Sequence, residues 1–142
     1  QRTLVYKKLL HALRSVKGKR IAVLGLAFKN NTDDVRESVA LEIVRWLLDH
    51  GAKVAAYDPI AGSNARKVLP TTPKLRFCKS ARLALRKADA AVIATEWEEF
   101  RALPWKSLQS IMHRPIVVDG RNLLDPEAMR KLGYTYASIG RR

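Results

Sequence analysis

Two short stretches of this chain carry the side chains that hold anions. The first is Gly25-Leu26-Ala27-Phe28-Lys29, which runs on through Asp33, Asp34 and Arg36. The second is Asp119-Gly120-Arg121-Asn122. Lysine supplies a point charge, and arginine a planar fork that matches two phosphate oxygens. Phe28, next to Lys29, offers a flat apolar surface to a sugar or a base. Two cations and helix-end amides around one crevice are what a diphosphate requires. Plainer readings stand beside these: Lys29 as a solvated loop lysine, and residues 119–122 as a bare turn.

Other chemistry is thinly supported. Asp33 and Asp34 read better as capping residues than as catalytic carboxylates, because Glu37 follows Asp34 at capping-box spacing. Asp58-Pro59 reads as a turn rather than as an acid for a ribose. Trp97 reads as a packing aromatic rather than a stacking platform. Cys78 is the only cysteine, so no internal disulfide can form. Its cationic neighbours favour a thiolate, but no histidine lies near it in sequence. The three histidines are too scattered for a zinc site. A G-x-G-x-x-G dinucleotide fingerprint is missing, since Gly25 stands alone, and bulky Phe28 with a long loop replaces the tight glycine turn.

These loops need a frame to position them. Residues 20–25 (RIAVLG) and 90–95 (AAVIAT) are aliphatic without alternation, as strands buried on both faces are. Further strands are expected at 53–57, 75–77, 116–119 and 134–138. Helices are expected over 3–16, from Asp34 to Gly51, and over 80–87, 104–112 and 125–132. A strand, a helix and a second strand within forty residues make a βαβ unit, hence a parallel pair. The expected fold is α/β, a Rossmann-like doubly wound parallel sheet of about six strands, preceded by an N-terminal helix. In the usual order 3-2-1-4-5-6, GLAFK, TEW and DGRN all reach the carboxyl edge, where such sheets bind ligands. Lys29 and Arg121 then flank one crevice.

The chain has 142 residues, is 47% hydrophobic and carries a net charge of +14. That suits one domain able to bury a real core, which is expected to fold alone. No apolar run approaches the roughly 18 residues of a membrane span, and no secretory signal is read at the N-terminus. A single cysteine fits a reducing cytoplasm. The charge reads first as a solvated basic surface. A rival reading is a stand-alone basic α/β module binding nucleic acid or nucleotide. It rests on charge alone, because the aromatics do not interleave with the basic residues on one strand face.

Five segments in order resemble the C-terminal, UDP-binding domain of the UDP-glucose/GDP-mannose dehydrogenase family. They are residues 17–38 (KGKRIAVLGLAFKNNTDDVRES), 47–59 (LLDHGAKVAAYDP), 88–100 (ADAAVIATEWEEF), 117–134 (VVDGRNLLDPEAMRKLGY) and 138–141 (SIGR). TEWEEF and DGRNLLDP are more similar to the branch that oxidises UDP-glucose than to those acting on GDP-mannose or amino sugars. The resemblance implies an enzyme that turns UDP-glucose into UDP-glucuronate with two NAD+. It implies that Phe28, Lys29 and Arg121 contact the UDP-sugar, and that Arg36 reaches toward NAD. NAD itself is implied to sit mainly on an N-terminal domain. Residues 1–17 resemble the end of a central-domain helix, and 18–142 the UDP-sugar-binding domain. The rest of the parent dehydrogenase, and a homo-oligomer formed through its central domain, are the implied partners. The resemblance speaks against nucleic acid and against a membrane. Neither the family's dinucleotide fingerprint nor its catalytic cysteine segment is present, and Cys78 does not align with that cysteine. The family's RESP is here Arg36-Glu37-Ser38-Val39, a change expected to cost little. The apolar face of helix 3–16 is expected to be under-covered, giving weak self-association through Tyr6, Leu9 and Leu13.

Overall fold

The computed structural model describes residues 2–140. Gln1 and Arg141, the latter closing the SIGR motif, lie outside the described residues. The sheet is built from β1 (Arg20–Leu24), β2 (Lys53–Tyr57), β3 (Leu75–Phe77), β4 (Ala90–Ile93), β5 (Ile116–Asp119) and β6 (Thr135–Ser138). All neighbours pair in parallel, in the order β3-β2-β1-β4-β5-β6. This is the expected doubly wound order. The aliphatic runs explain the centre: β4 and β5 are buried at every position, and β1 at all but its first.

Helices α1 (Arg2–Leu13), α2 (Val39–Asp49), α3 (Gly62–Val68), α4 (Ala81–Leu85), α5 (Glu98–Arg101), α6 (Trp105–Leu108) and α7 (Pro126–Lys131) connect and flank the strands. In α2 the residues Ala40, Leu41, Ile43, Val44 and Leu47 form the buried stripe. Its N-cap is Ser38, so Val39 occupies the first helical position, where proline is tolerated but not needed.

Three expectations are corrected. The capping box does not form: Glu37 has φ 55°, and Asp34 turns its carboxylate onto Arg36 instead. The helix expected over 104–112 is broken into α6 and a 3-10 turn at Gln109–Ile111. The under-covered N-terminal face is also overturned. Val5, Leu9, Leu13 and Val16 are buried in the common core, and α1 packs on β5 and α2. Tyr6 stacks on Trp46 with ring centroids 4.2 Å apart and planes 6° from parallel. Arg2 pairs with Glu42 at 3.0 Å. Tyr6, Leu9 and Leu13 therefore serve this chain's own core. Leu9→Ala should cost about 2–5 kcal/mol in urea unfolding. A loss below about 1 kcal/mol would mean that α1 is only loosely attached.

Candidate functional site at the carboxyl edge of the sheet

The loop after β1 begins where the backbone comes too close for a side chain. Gly25 has φ +101°, and a Cβ there would lie 2.5 Å from the Thr95 side chain. Leu26 and Ala27 follow, both buried, and they are secured from three directions. The Asp58 carboxylate, at the end of β2, accepts the Leu26 and Ala27 amides at 2.7 and 3.0 Å. Ser38, at the start of α2, donates its hydroxyl to the Leu26 carbonyl at 2.8 Å. Thr95, after β4, donates to the Ala27 carbonyl at 2.9 Å.

Asp58 does more than close its own turn. One oxygen also accepts the Trp97 indole N–H at 3.1 Å, and the other accepts the Ile60 and Ala61 amides at 2.9 and 2.8 Å. Both oxygens are thus occupied from within. This agrees with the reading of Asp58 as a turn residue and leaves it no capacity for a ribose. Trp97 is buried as a packing aromatic, as expected.

Phe28 and Lys29 emerge from this fixed base. The Phe28 amide donates to the Asp34 carbonyl at 2.7 Å, and the residue is 48% exposed. Lys29 is exposed. Beyond them Arg36 grips the Asp34 carboxylate through Nε and Nη2, at 3.0 and 2.9 Å. Those hydrogen bonds hold the Asp34 carboxyl down at about 2. The Arg36 side chain remains 88% exposed. It lines a concavity of about 570 Å3 with Arg2, Glu42 and Arg45, which neither Lys29 nor Arg121 lines.

The second loop is organised by Asp119, fully buried at the end of β5. Its carboxylate accepts the Arg121 and Leu124 amides at 3.0 and 2.8 Å and the Tyr136 hydroxyl at 2.6 Å. Gly120 is needed for close approach, because a Cβ would meet the Ile93 carbonyl at 2.9 Å. Arg121 then reaches back over β4, and its Nη2 meets Glu96 Oε2 at 2.6 Å. The other Glu96 oxygen is buried without a partner. Glu96, Asp58 and Asp119 were not singled out as organisers from sequence. The only signal for them was that each ends or follows an aliphatic strand.

Lys29 and Arg121 thus leave the same edge from β1 and β5, with β4 between them. Two strand spacings separate their bases by roughly 10 Å. Two cations leaving one sheet edge at that spacing can bracket a diphosphate. Cys78 sits apart, half-buried against the core beyond β3. Among the described residues no group of three His, Cys, Asp or Glu side chains could hold a metal ion.

Comparison with known proteins decides the family. The sequence pattern of the UDP-glucose/GDP-mannose dehydrogenase family, UDP binding domain, matches residues 22–126. The chain belongs to this family. A UDP-glucose 6-dehydrogenase from Rickettsia felis is 47% identical over 125 residues, 88% of this chain and 28% of that protein. A UDP-glucose dehydrogenase structure from Pyrobaculum islandicum superposes with TM-score 0.79 at 33% identity, over 96% of this chain and 28% of that one. A UDP-D-ManNAc dehydrogenase from Pyrococcus horikoshii gives TM-score 0.81 at 32% identity, over 99% and 31%. The chain therefore spans less than a third of the length of these relatives. Both loops of the carboxyl edge, including Lys29 and Arg121, fall inside the matched residues.

Proposed function

We propose that this chain is the UDP-sugar-binding C-terminal part of an NAD-dependent UDP-glucose 6-dehydrogenase, which oxidises UDP-glucose to UDP-glucuronate with two NAD+. The observation that carries the reading is the pair of cationic loops at one sheet edge of a family UDP-binding domain. In this role Lys29 and Arg121 take the diphosphate, and Phe28 covers the sugar or the base. Glu96 holds the Arg121 fork in place. No residue here is assigned to hydride transfer, and Cys78 is not the nucleophile.

NAD belongs mainly on a domain outside this chain. The support is local: the Leu26 and Ala27 amides donate inward to Asp58, so the β1 turn has neither the glycines nor these two amides to offer a pyrophosphate. Arg36 is the residue assigned to reach NAD, consistent with its 88% exposed side chain. Residues 1–17 are the end of a central-domain helix, and 18–142 are the UDP-sugar domain. Oligomerisation runs through that central domain. The site of action is the cytoplasm, in keeping with the lone cysteine. Among the described residues no helix is long and apolar enough to cross a membrane.

Calorimetric titration tests the reading. UDP and UDP-glucuronate should bind the full chain with one site, and binding should survive physiological salt. A single-stranded oligonucleotide should bind only at low salt, as counterion release dictates. Tighter binding of the oligonucleotide at physiological salt would favour the basic-module reading instead. The chain mixed with UDP-glucose and NAD+ should produce no NADH. Production above a blank, abolished by Cys78→Ser, would sink the assignment of catalysis elsewhere.

A further inference from the structure

The opposite, amino edge of the sheet carries an arrangement that the UDP-sugar reading does not use. Arg20 opens β1 and Lys53 opens β2, and they are register partners. Lys74 precedes β3, with its carbonyl accepting the Val54 amide at 2.7 Å. Arg76 lies two residues on, beside Ala55. Parallel neighbours in register project to the same face, as do residues i and i+2 of one strand. All four cations line a single concavity of about 100 Å3, together with Val54, Ala55 and Pro73.

No acid lines that concavity. Among the described residues, none of the four side-chain cations has a hydrogen-bond or ion-pair partner. The acid beside the row, Asp89, is committed elsewhere: it accepts the Arg20 backbone amide at 2.8 Å and meets His113 Nδ1 at 2.6 Å. Like charges on adjacent strands repel, and among the described residues no acid pairs with them.

We propose that this row is a second anion site, specific for a short polyphosphate or a phosphoryl group carried on a small molecule. The concavity is far below the roughly 300–1,000 Å3 that encloses a drug-sized ligand, so it takes a phosphoryl group and not a nucleoside. It offers no aromatic ring among its lining residues on which a base could stack. The site lies at the sheet edge remote from Lys29 and Arg121, so it does not depend on the UDP-sugar assignment. It also gives part of the +14 charge a local purpose.

Tripolyphosphate titrated into the full chain tests it, by calorimetry and by thermal shift. One equivalent should bind the row at low salt and raise the melting temperature, and it should remain when Lys29→Ala with Arg121→Ala removes the carboxyl-edge crevice. The triple variant Lys53→Gln, Lys74→Gln, Arg76→Gln should lose at least tenfold in affinity while binding UDP like the wild type. Without ligand this variant should melt higher than the wild type, because the repulsion is gone; a lower melting temperature would overturn the proposal. A charge-matched control, Lys7→Gln, Lys106→Gln, Lys131→Gln, should keep the tripolyphosphate site. Equal loss from the control would show a diffuse field and overturn the site. Loss of tripolyphosphate on Lys29→Ala with Arg121→Ala would place the anion in the carboxyl-edge crevice and also overturn it. So would an oligonucleotide that outcompetes tripolyphosphate at the row.

Discussion

Asp58→Ala should be among the most destabilising single substitutions in this chain. The carboxylate accepts the Leu26, Ala27, Ile60 and Ala61 amides and the Trp97 indole. Alanine strands all five donors, at a site where the aspartate itself is 8% exposed. Each buried donor left unmade costs about 1–3 kcal/mol. The costs are not additive, but a loss of about 4 kcal/mol or more is expected in urea unfolding. That is a large share of the roughly 5–15 kcal/mol of a typical domain. Asp58→Asn should fall between, since one amide oxygen still accepts while the NH2 faces donors. Asp33→Ala, an exposed neighbour, should stay within about 0.5 kcal/mol. An Asp58→Ala loss as small as that would mean that water replaces the carboxylate and that the loop base is not rigid.

The sheet was legible in the sequence because buried parallel strands are written as aliphatic runs. RIAVL, AAVI and IVVD admit few other readings, and the order across the sheet comes from the usual doubly wound pattern of such units. Helix α3 was not legible. Within it only Ala65 is buried, with buried Ala61 and Leu69 at its two caps, and alanines at helical spacing give little apolar contrast. The 104–112 segment looked continuous because Trp105, Leu108 and Met112 follow a helical period. All three are buried, but only Trp105 and Leu108 lie in α6, and Met112 is reached through the 3-10 turn at Gln109–Ile111. Near Asp34 the pattern misled for a different reason. Asp34 and Glu37 have capping-box spacing, yet Arg36 at two residues' remove offers Asp34 a bidentate partner and draws it away from the helix.

At the site, the cations were legible and their supports were not. Lys29 and Arg121 are readable because charged residues directly after buried strands must lie at a sheet edge. That Asp58 and Asp119 hold the loops requires knowing which strands are neighbours, which is tertiary information. Glu96 is similar, since its meeting with Arg121 depends on β4 and β5 being adjacent. The helix packing of α1 was misread from the same lack. An amphipathic helix shows that it docks, but not whether its dock lies within the same chain.

Arg121→Ala and Lys29→Ala should each weaken UDP by about tenfold or more. A charge-assisted hydrogen bond is worth roughly 1.5–3 kcal/mol, and each 1.4 kcal/mol is about a factor of ten in affinity. The geometry separates the two residues. Arg121 binds Glu96 through one N–H of Nη2, which leaves the other Nη2 N–H, with the N–H beside it on that edge of the guanidinium, as a fork for two phosphate oxygens. Arg121→Lys should therefore fail to restore affinity, because an ammonium cannot serve the carboxylate and two phosphate oxygens in one plane. Glu96→Gln retains an acceptor for Nη2 and should bind UDP nearly as the wild type does. Glu96→Ala frees the fork and should lose a few-fold. Combined with Arg121→Ala, it should add nothing further, the signature of a residue that acts through another. Arg36→Ala should leave UDP binding unchanged, since its assigned ligand is NAD. Lys106→Ala, an exposed cation on α6, controls for the general field of a +14 chain. If it weakens UDP as much as Lys29→Ala does, net charge and not the two loops attracts the ligand. If Glu96→Ala and Arg121→Ala instead add independently, Glu96 does not position the fork, and its unpartnered oxygen has some other use.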